Sequence, residues 1–438
     1  MLKTLALFPS GTCVDEQGQL WLGGCLASSL AQEYGTPLYI FDDATLRGRC
    51  RAYRQAMAQH YPGRSQVAYA SKAYLNLALA QLFAQEGLSL DVVSGGELYV
   101  AQQAGFPAER IHFHGNNKSP AELTAALEGG VGRIVVDNFH ELALLEGLLA
   151  QQGDRFPIWL RLSPGIDVDT HDYRKTGSLD SKFGFPLDTG AAKRALAQAR
   201  NSPHLELVGL HAHIGSQILD AEPLALAATR LLEFAAAQDF EPRELIPGGG
   251  WGVPHNESDP AAPLDSYVQT VCQAVIDGCG RHGLARPTLV VEPGRSIVAP
   301  AGVALYRVGA RKDIPGVRTY ISVDGGISDN VRPALYGARY TALVADKANR
   351  PAEETVTIAG KLCESGDVLI RDIALPRLAA GDLLAIPAAG AYCLPMASNY
   401  NLAPRPAVVL VGGGRAKLIQ RRESHQDLVA RDVPLPTL

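Results

Sequence analysis

The chain has 438 residues, a formal net charge of −5, 47% hydrophobic and 19% charged residues, which describes a soluble globular protein too long for one ordinary core. Its slight negative charge gives no electrostatic footprint for nucleic acid or an anionic membrane, and no stretch is apolar for long enough to span a bilayer. The seven cysteines, at 13, 25, 50, 272, 279, 363 and 393, form neither CxxC pairs nor a zinc pattern, so neither a disulfide framework nor a metal site is expected, and a reducing cytoplasm is the expected home.

In chain order, the stretch Met1–Pro9 has one lysine and a short apolar run broken by proline, and reads as an ordinary N-terminus rather than a secretory signal. Up to residue 45, Leu20–Leu22 and Pro37–Phe41 are β-prone, and the stretch fits neither a βα beat nor a helix. From residue 66 short β-prone runs recur at Gln66–Ala70, Leu88–Val93, Ile111–His114, Arg133–Asp137, Pro157–Leu162, Glu206–His213, Glu244–Pro247 and Thr288–Glu292. Between them lie helical spacings at Leu77–Phe83, Ala121–Leu127, His140–Leu149, Ala191–Ala199, Pro223–Ala237 and Leu264–Cys279. Eight strands alternating with helices predict a (β/α)8 TIM-like barrel over 46–300. An open doubly wound sheet is the competitor, disfavoured because no GxGxxG follows the first strand and the beat closes at eight.

After residue 300 the runs Val303–Val308, Arg318–Val323, Tyr340–Leu343, Glu354–Ile358, Asp382–Ile386 and Ala407–Val411 are short, β-rich and separated by Gly, Pro and Asp turns. They predict a second, mostly antiparallel β-domain made of 301–438 and completed by 1–45. The polar tail Arg421–Leu438, with two prolines, is expected to be partly disordered.

In such a barrel, chemistry lies at the C-terminal strand ends, and each predicted strand here ends in polar or glycine residues. Lys72 follows the first strand. Burying a lysine there is costly unless it is paired or loses its proton, and a free amine is what attacks a carbonyl; the plain alternative is a lysine that snorkels to the rim. After strand seven comes Gly248-Gly249-Gly250, and after strand eight Glu292-Pro293-Gly294-Arg295-Ser296. Glycines let backbone N–H groups approach an anion, and the loops after strands seven and eight are a frequent phosphate site. A phosphate cradle opposite an imine-forming lysine points to pyridoxal 5'-phosphate (PLP). Glu292 is then the candidate carboxylate for its pyridine nitrogen. For a flat partner to the ring, His213 is favoured over His211, which shares its face of the strand, only because it is nearer the strand end.

The motifs Tyr69-Ala-Ser-Lys-Ala, Asp91-Val-Val-Ser-Gly-Gly-Glu-Leu, Gly115-Asn-Asn-Lys-Ser, Ser181-Lys-Phe-Gly, His211-Ala-His-Ile-Gly-Ser-Gln, Gly248-Gly-Gly, Glu292-Pro-Gly-Arg-Ser, Asp324-Gly-Gly, Arg332-Pro-Ala-Leu-Tyr-Gly, Cys363-Glu-Ser-Gly-Asp and Gly390-Ala-Tyr stand in this order. Together they resemble the fold-type III (alanine racemase-like) PLP decarboxylases, over residues 20 to 412 or so.

The resemblance implies that Lys72 carries the cofactor, His213 stacks on its ring, and Ser216, Gly248, Gly249, Gly250 and the Gly294-Arg295 backbone hold its phosphate. It implies Glu292 at the pyridine nitrogen and Tyr392 on cofactor and substrate. Cys363 and Glu364 would be donated across a homodimer interface, Cys363 as proton donor and Glu364 for the substrate's distal amine. Arg295, Arg332 and Tyr336 would clamp a distal carboxylate, which favours α-decarboxylation of meso-2,6-diaminopimelate to L-lysine and CO2. The alternatives are a sibling acting on ornithine, lysine or a carrier-bound amino acid, an amino-acid racemase, and a non-catalytic regulator on the same fold. Two departures stand out: Trp251, where a smaller aliphatic is expected, and Cys393-Leu394-Pro395 after Tyr392.

Overall fold

The computed structural model describes residues 3–152, 155–167 and 180–435. It divides into two compact units, one of residues 47–253 and 260–297, the other of 1–46, 254–259 and 298–438.

The first unit is built on the eight predicted strands, observed at Ser65–Ala70, Ser89–Val92, Ile111–Phe113, Arg133–Val136, Phe156–Ser163, Leu205–His211, Glu244–Gly248 and Thr288–Val291. Each pairs in parallel with the next, and the eighth pairs with the first through Leu289 with Ser65 and Val291 with Val67. The sheet is therefore a closed barrel and not the open, doubly wound alternative. Side chains alternate across each strand, so the interior fills in layers. One apolar layer holds Ala68, Val135, Trp159, Val208, Ile246 and Val290. Two residues further along several of these strands come Asp137, Arg161, Gly248 and Glu292, so the chain changes from apolar to charged just where the strands end.

The loops at that end are fastened by a buried ion pair. Lys118 Nζ lies 2.6 Å from Glu141 Oε1 and donates to the carbonyls of Gly115 and Val135 at 2.8 and 2.9 Å. Burial pushes the Lys118 ammonium down and the Glu141 carboxyl up, and each partner pulls the other back. Removing one partner strands the other charge. Lys118→Met is expected to cost about 3–5 kcal/mol in chemical denaturation, and Lys118→Met with Glu141→Leu to recover most of it.

The second unit is a largely antiparallel sheet with strand order Val368–Leu375, Glu354–Ala359, Arg318–Val323, Gly302–Ile314, Leu38–Asp42, Ala407–Gly412, Arg415–Gln420. Leu38–Asp42 lies antiparallel to Gly302–Ile314 and parallel to Ala407–Gly412, so the N-terminal segment supplies a central strand. Leu20–Leu22 belongs instead to a small three-stranded sheet, and its leucines pack with Leu38, Ile40, Val303 and Val409.

Two expectations are corrected. The first 45 residues do contain a helix, Ala27–Tyr34, which buries Ala27, Leu30 and Ala31 at helical spacing and stops at Gly35 with φ +71°. Tyr340 lies outside the strand expected at Tyr340–Leu343, which is observed as Leu343–Val344. In the polar tail the turn of helix His425–Val429 carries a capping box, with Ser424 and Asp427 satisfying each other's backbone N–H. No disulfide joins any of the seven cysteines, and among the described residues no helix is long and apolar enough to cross a membrane.

Candidate active site

Lys72 lies on the short turn Ser71–Ala73, directly after the first barrel strand. Its side chain is 38% exposed, and its Nζ sits 3.9 Å from Asp91 Oδ2 on the second strand. Asp91 begins a buried chain of polar groups. His114 Nε2 is 3.6 Å from Asp91 Oδ1 and 3.3 Å from Glu292 Oε1, and His211 Nε2 donates to Glu292 Oε2 at 3.0 Å. The chain Lys72–Asp91–His114–Glu292–His211 thus draws on strands one, two, three, six and eight.

Burial sets the proton positions here. It raises Asp91 to about 7, Lys72 opposing and Glu292 adding to the rise. Glu292 is raised by burial to about 7, against the pull of Lys72 and Arg161. Burial holds His114, His211 and His213 well below the usual histidine value, with nearby Lys72 and Arg161 cations pushing the same way. All three imidazoles are therefore neutral.

The triple glycine does more than open space for an anion. Gly248 and Gly250 have φ of +91° and +107°, a region L side chains rarely adopt. A Cβ at Gly248, Gly249 or Gly250 would run into the carbonyl oxygen of Ala212, Glu292 or Gly215 respectively. The loops after strands six, seven and eight can pack together only because these positions lack side chains. At the same place Arg295 Nη2 donates to Ser216 Oγ at 3.0 Å, and the Gly249 N–H points to His213 Nδ1 at 3.4 Å. A Cβ at Gly294 would sit 3.1 Å from those of Ala70 and Ala73, on either side of Lys72.

The barrel thus brings together Lys72, His213, Ser216, Gly248–Gly250, Glu292, Gly294 and Arg295. These residues fit PLP on an observation independent of sequence: although His114 Nε2 lies 3.3 Å away, the buried Glu292 Oε1 accepts no hydrogen bond among the described residues, and a protonated pyridine nitrogen would give it a donor. Lys72 offers the amine for the aldehyde. Ser216, Arg295 and the glycine backbone offer neutral and cationic donors for the phosphate.

Sequence reasoning overlooked the roles of Asp91, His114 and Arg161, and left His211 without one. His211 is the hydrogen-bond partner that holds Glu292. Arg161 lies 3.7 Å from Asp137 and stacks its guanidinium over Phe183 at 4.3 Å. Asp137 Oδ2 in turn accepts from the Gly184 N–H at 3.1 Å, which ties the Ser181-Lys-Phe-Gly motif to the barrel.

The second unit holds the remaining predicted site residues. Arg332 and Tyr336 stand on one short helix, Arg332–Tyr336; Arg332 is buried, and the Tyr336 hydroxyl is 3.9 Å from Met396 Sδ. Tyr392 takes φ +60°, an uncommon backbone for a non-glycine residue. Cys363 and Glu364 are both exposed, on a loop held from below by Asp367. Asp367 accepts from the N–H groups of Ile327 and Leu362 at 2.7 and 2.9 Å. The Cys363 N–H is fixed by Asn401 Oδ1 at 2.8 Å.

Both departures have a structural account. The Trp251 ring stacks on Tyr267 of helix Leu264–His282, centroids 4.7 Å apart and planes 11° apart, so the larger side chain fills a place that this helix provides. Cys393 is buried, its Sγ 3.6 Å from the Tyr340 hydroxyl and 3.5 Å from Asn330 Oδ1.

Residues 44–299 match the pyridoxal-binding domain of the pyridoxal-dependent decarboxylase family. The chain is 50% identical over 436 residues to a diaminopimelate decarboxylase of Bacillus subtilis, covering 98% of this chain and 99% of that one. It is 46% identical over 437 residues to one from Synechocystis, covering 97% and 92%. Among solved structures, the diaminopimelate decarboxylase of M. jannaschii in complex with L-lysine matches with a TM-score of 0.90 at 33% identity, over 100% of this chain and 99% of that one.

Proposed function

The chain belongs to the pyridoxal-dependent decarboxylases, and from that premise we propose that it is a carboxy-lyase converting meso-2,6-diaminopimelate to L-lysine and CO2. The observation that carries this choice of substrate is Arg332, a buried guanidinium with no carboxylate partner among the described residues. Relatives that act on ornithine or lysine meet no distal carboxylate, and a buried arginine there would stay uncompensated.

PLP, once bound, withdraws electrons from the substrate's α-carbon as CO2 departs. Lys72 Nζ would hold the cofactor at its aldehyde carbon, and Asp91, with its carboxyl near 7, can take up or return a proton at that amine. Glu292 Oε1 would accept from the protonated ring nitrogen, while His211 occupies Oε2 and fixes the carboxylate's orientation. His213 would support the ring face. Ser216, Gly248–Gly250, Gly294 and Arg295 would anchor the phosphate. Arg332, with Arg295 and Tyr336, would orient the distal carboxylate, Glu364 would bind the distal ammonium, and Tyr392 would reach cofactor and substrate. Cys363 Sγ delivers a proton to the α-carbon after CO2 has left.

Cys363 and Glu364 are exposed on the single chain, an unusual state for two residues of a closed site. We take the working form to be a homodimer whose partner supplies this loop, located in the cytoplasm. Mixing Lys72→Ala and Cys363→Ala subunits should restore roughly a quarter of wild-type activity, because half of randomly paired dimers keep one intact site of two. No recovery would show that each chain completes its own site. The substrate assignment is checked by steady-state assay with diaminopimelate, ornithine and lysine. Diaminopimelate should lead by at least about a thousandfold in kcat/KM, and a preference for either monocarboxylate would overturn the assignment.

A further inference from the structure

Arg332 is 1% exposed, and what surrounds it is unusual for a buried cation. Its Nη1 donates to His255 Nε2 at 3.0 Å and also to the Tyr340 hydroxyl. Its Nε is buried without an acceptor, so among the described residues both side-chain hydrogen bonds leave from Nη1 and the Nε–Nη2 edge is uncommitted. A guanidinium only donates. His255 Nε2 must therefore carry a lone pair, with the ring proton on Nδ1.

The three side chains brace one another. The His255 ring meets the Tyr340 ring edge-on, centroids 5.3 Å apart at 88°, and the Arg332 guanidinium lies 5.5 Å from the Tyr340 centroid. Tyr340 continues to Cys393 Sγ at 3.6 Å. The His255 backbone N–H donates to Asp259 Oδ2 at 2.7 Å, which fixes the turn bearing the imidazole. A carboxylate in place of His255 or Tyr340 would cancel the charge of Arg332; neutral acceptors fix its plane and leave the charge intact.

We infer that His255 and Tyr340 are positioning residues for substrate specificity: they occupy Nη1 so that the Nε–Nη2 edge of Arg332 presents a two-pronged donor to a carboxylate at the far end of the substrate. Paired N–H groups in one plane match a carboxylate bidentately. The assignment rests on the decarboxylase reading above, with Arg332 as the distal clamp.

The test is calorimetric binding of L-lysine and cadaverine to the holoenzyme, since the two differ only by the carboxylate. Wild-type protein should prefer L-lysine. His255→Leu should weaken L-lysine about tenfold and leave cadaverine within about twofold. His255→Gln, whose amide oxygen can accept from Nη1, should restore most of the L-lysine affinity. In turnover, His255→Leu should raise KM for diaminopimelate with kcat little changed, the pattern of lost uniform binding. Should His255→Leu fail to fold, Tyr340→Phe keeps the ring, removes the second acceptor and should show the same selective loss. An unchanged ratio of L-lysine to cadaverine affinity in the folded variants overturns the positioning role alone. A wild-type protein that binds both alike overturns the distal clamp, and the substrate assignment with it.

Discussion

Replacing Lys72 with alanine is expected to lower kcat on the order of 10⁴-fold or more and to remove the absorption band at roughly 420 nm that marks cofactor joined to a lysine amine. Borohydride reduction of wild-type protein should leave a pyridoxyl tag on the peptide containing residue 72, and none in the variant. Geometry makes the expectation specific to this lysine. Its side chain is 38% exposed, with Asp91 Oδ2 at 3.9 Å, so it is both reachable and close to a group that can exchange protons. Lys118, another lysine near the strand ends, is buried in contact with Glu141 at 2.6 Å and with two backbone carbonyls. Its ammonium is committed as a structural cation and cannot attack. A tag on Lys118 or elsewhere, or activity surviving in Lys72→Ala, would refute the site.

The barrel was legible because its strands are buried on both faces and read as short apolar runs between helical spacings. Two strands of the large sheet in the second unit were not. Arg415–Gln420 is an edge strand with mostly exposed side chains, so it has no apolar alternation to find. Val368–Leu375 carries Arg371-Asp372 at a register shift, with Asp372 at φ +51°, which breaks the period of two. The helix Asp43–His60 went unrecognised although Leu46, Cys50, Tyr53 and Met57 are buried at helical spacing, because Arg47, Arg49, Arg51 and Arg54 dilute the stripe. In the site, reading only the residues just past each strand found Lys72 and the glycines. It passed over Asp91, His114 and Arg161, whose signal was available: a charged or imidazole side chain at or near the end of an apolar strand, on the inward face, is too costly to bury without a task. His255 and Tyr340 carried no such signal. Their role depends on reaching Arg332 from 77 and 8 residues away, a distance that no local pattern encodes.

Glu292→Gln is the second large effect, and it separates chemistry from stability. The amide keeps the shape and still accepts from His211 through its oxygen, but it has no charge to offer the ring nitrogen. The ring then stays unprotonated and accepts electrons poorly, so kcat should fall on the order of 10²–10³-fold while bound cofactor is retained. Folding should respond differently. Burial raises the Glu292 carboxyl to about 7 in the folded chain, against an ordinary value near 4.3 when unfolded. A group raised in this way supports the fold below its unfolded pKa, and that support is lost as pH rises through the folded value. Above pH 7 the cofactor-free wild-type protein must bury the charge or give up that stability, and the glutamine variant need not. Cofactor-free Glu292→Gln should therefore be at least as resistant to denaturant as wild type at pH 8, with its advantage shrinking as the pH falls toward 4. A variant that is destabilised at pH 8, with kcat reduced only in proportion to the folded fraction, would reduce Glu292 to a structural carboxylate. A stable, cofactor-bound and nearly inactive variant would instead identify Glu292 as the group that keeps the pyridine nitrogen charged.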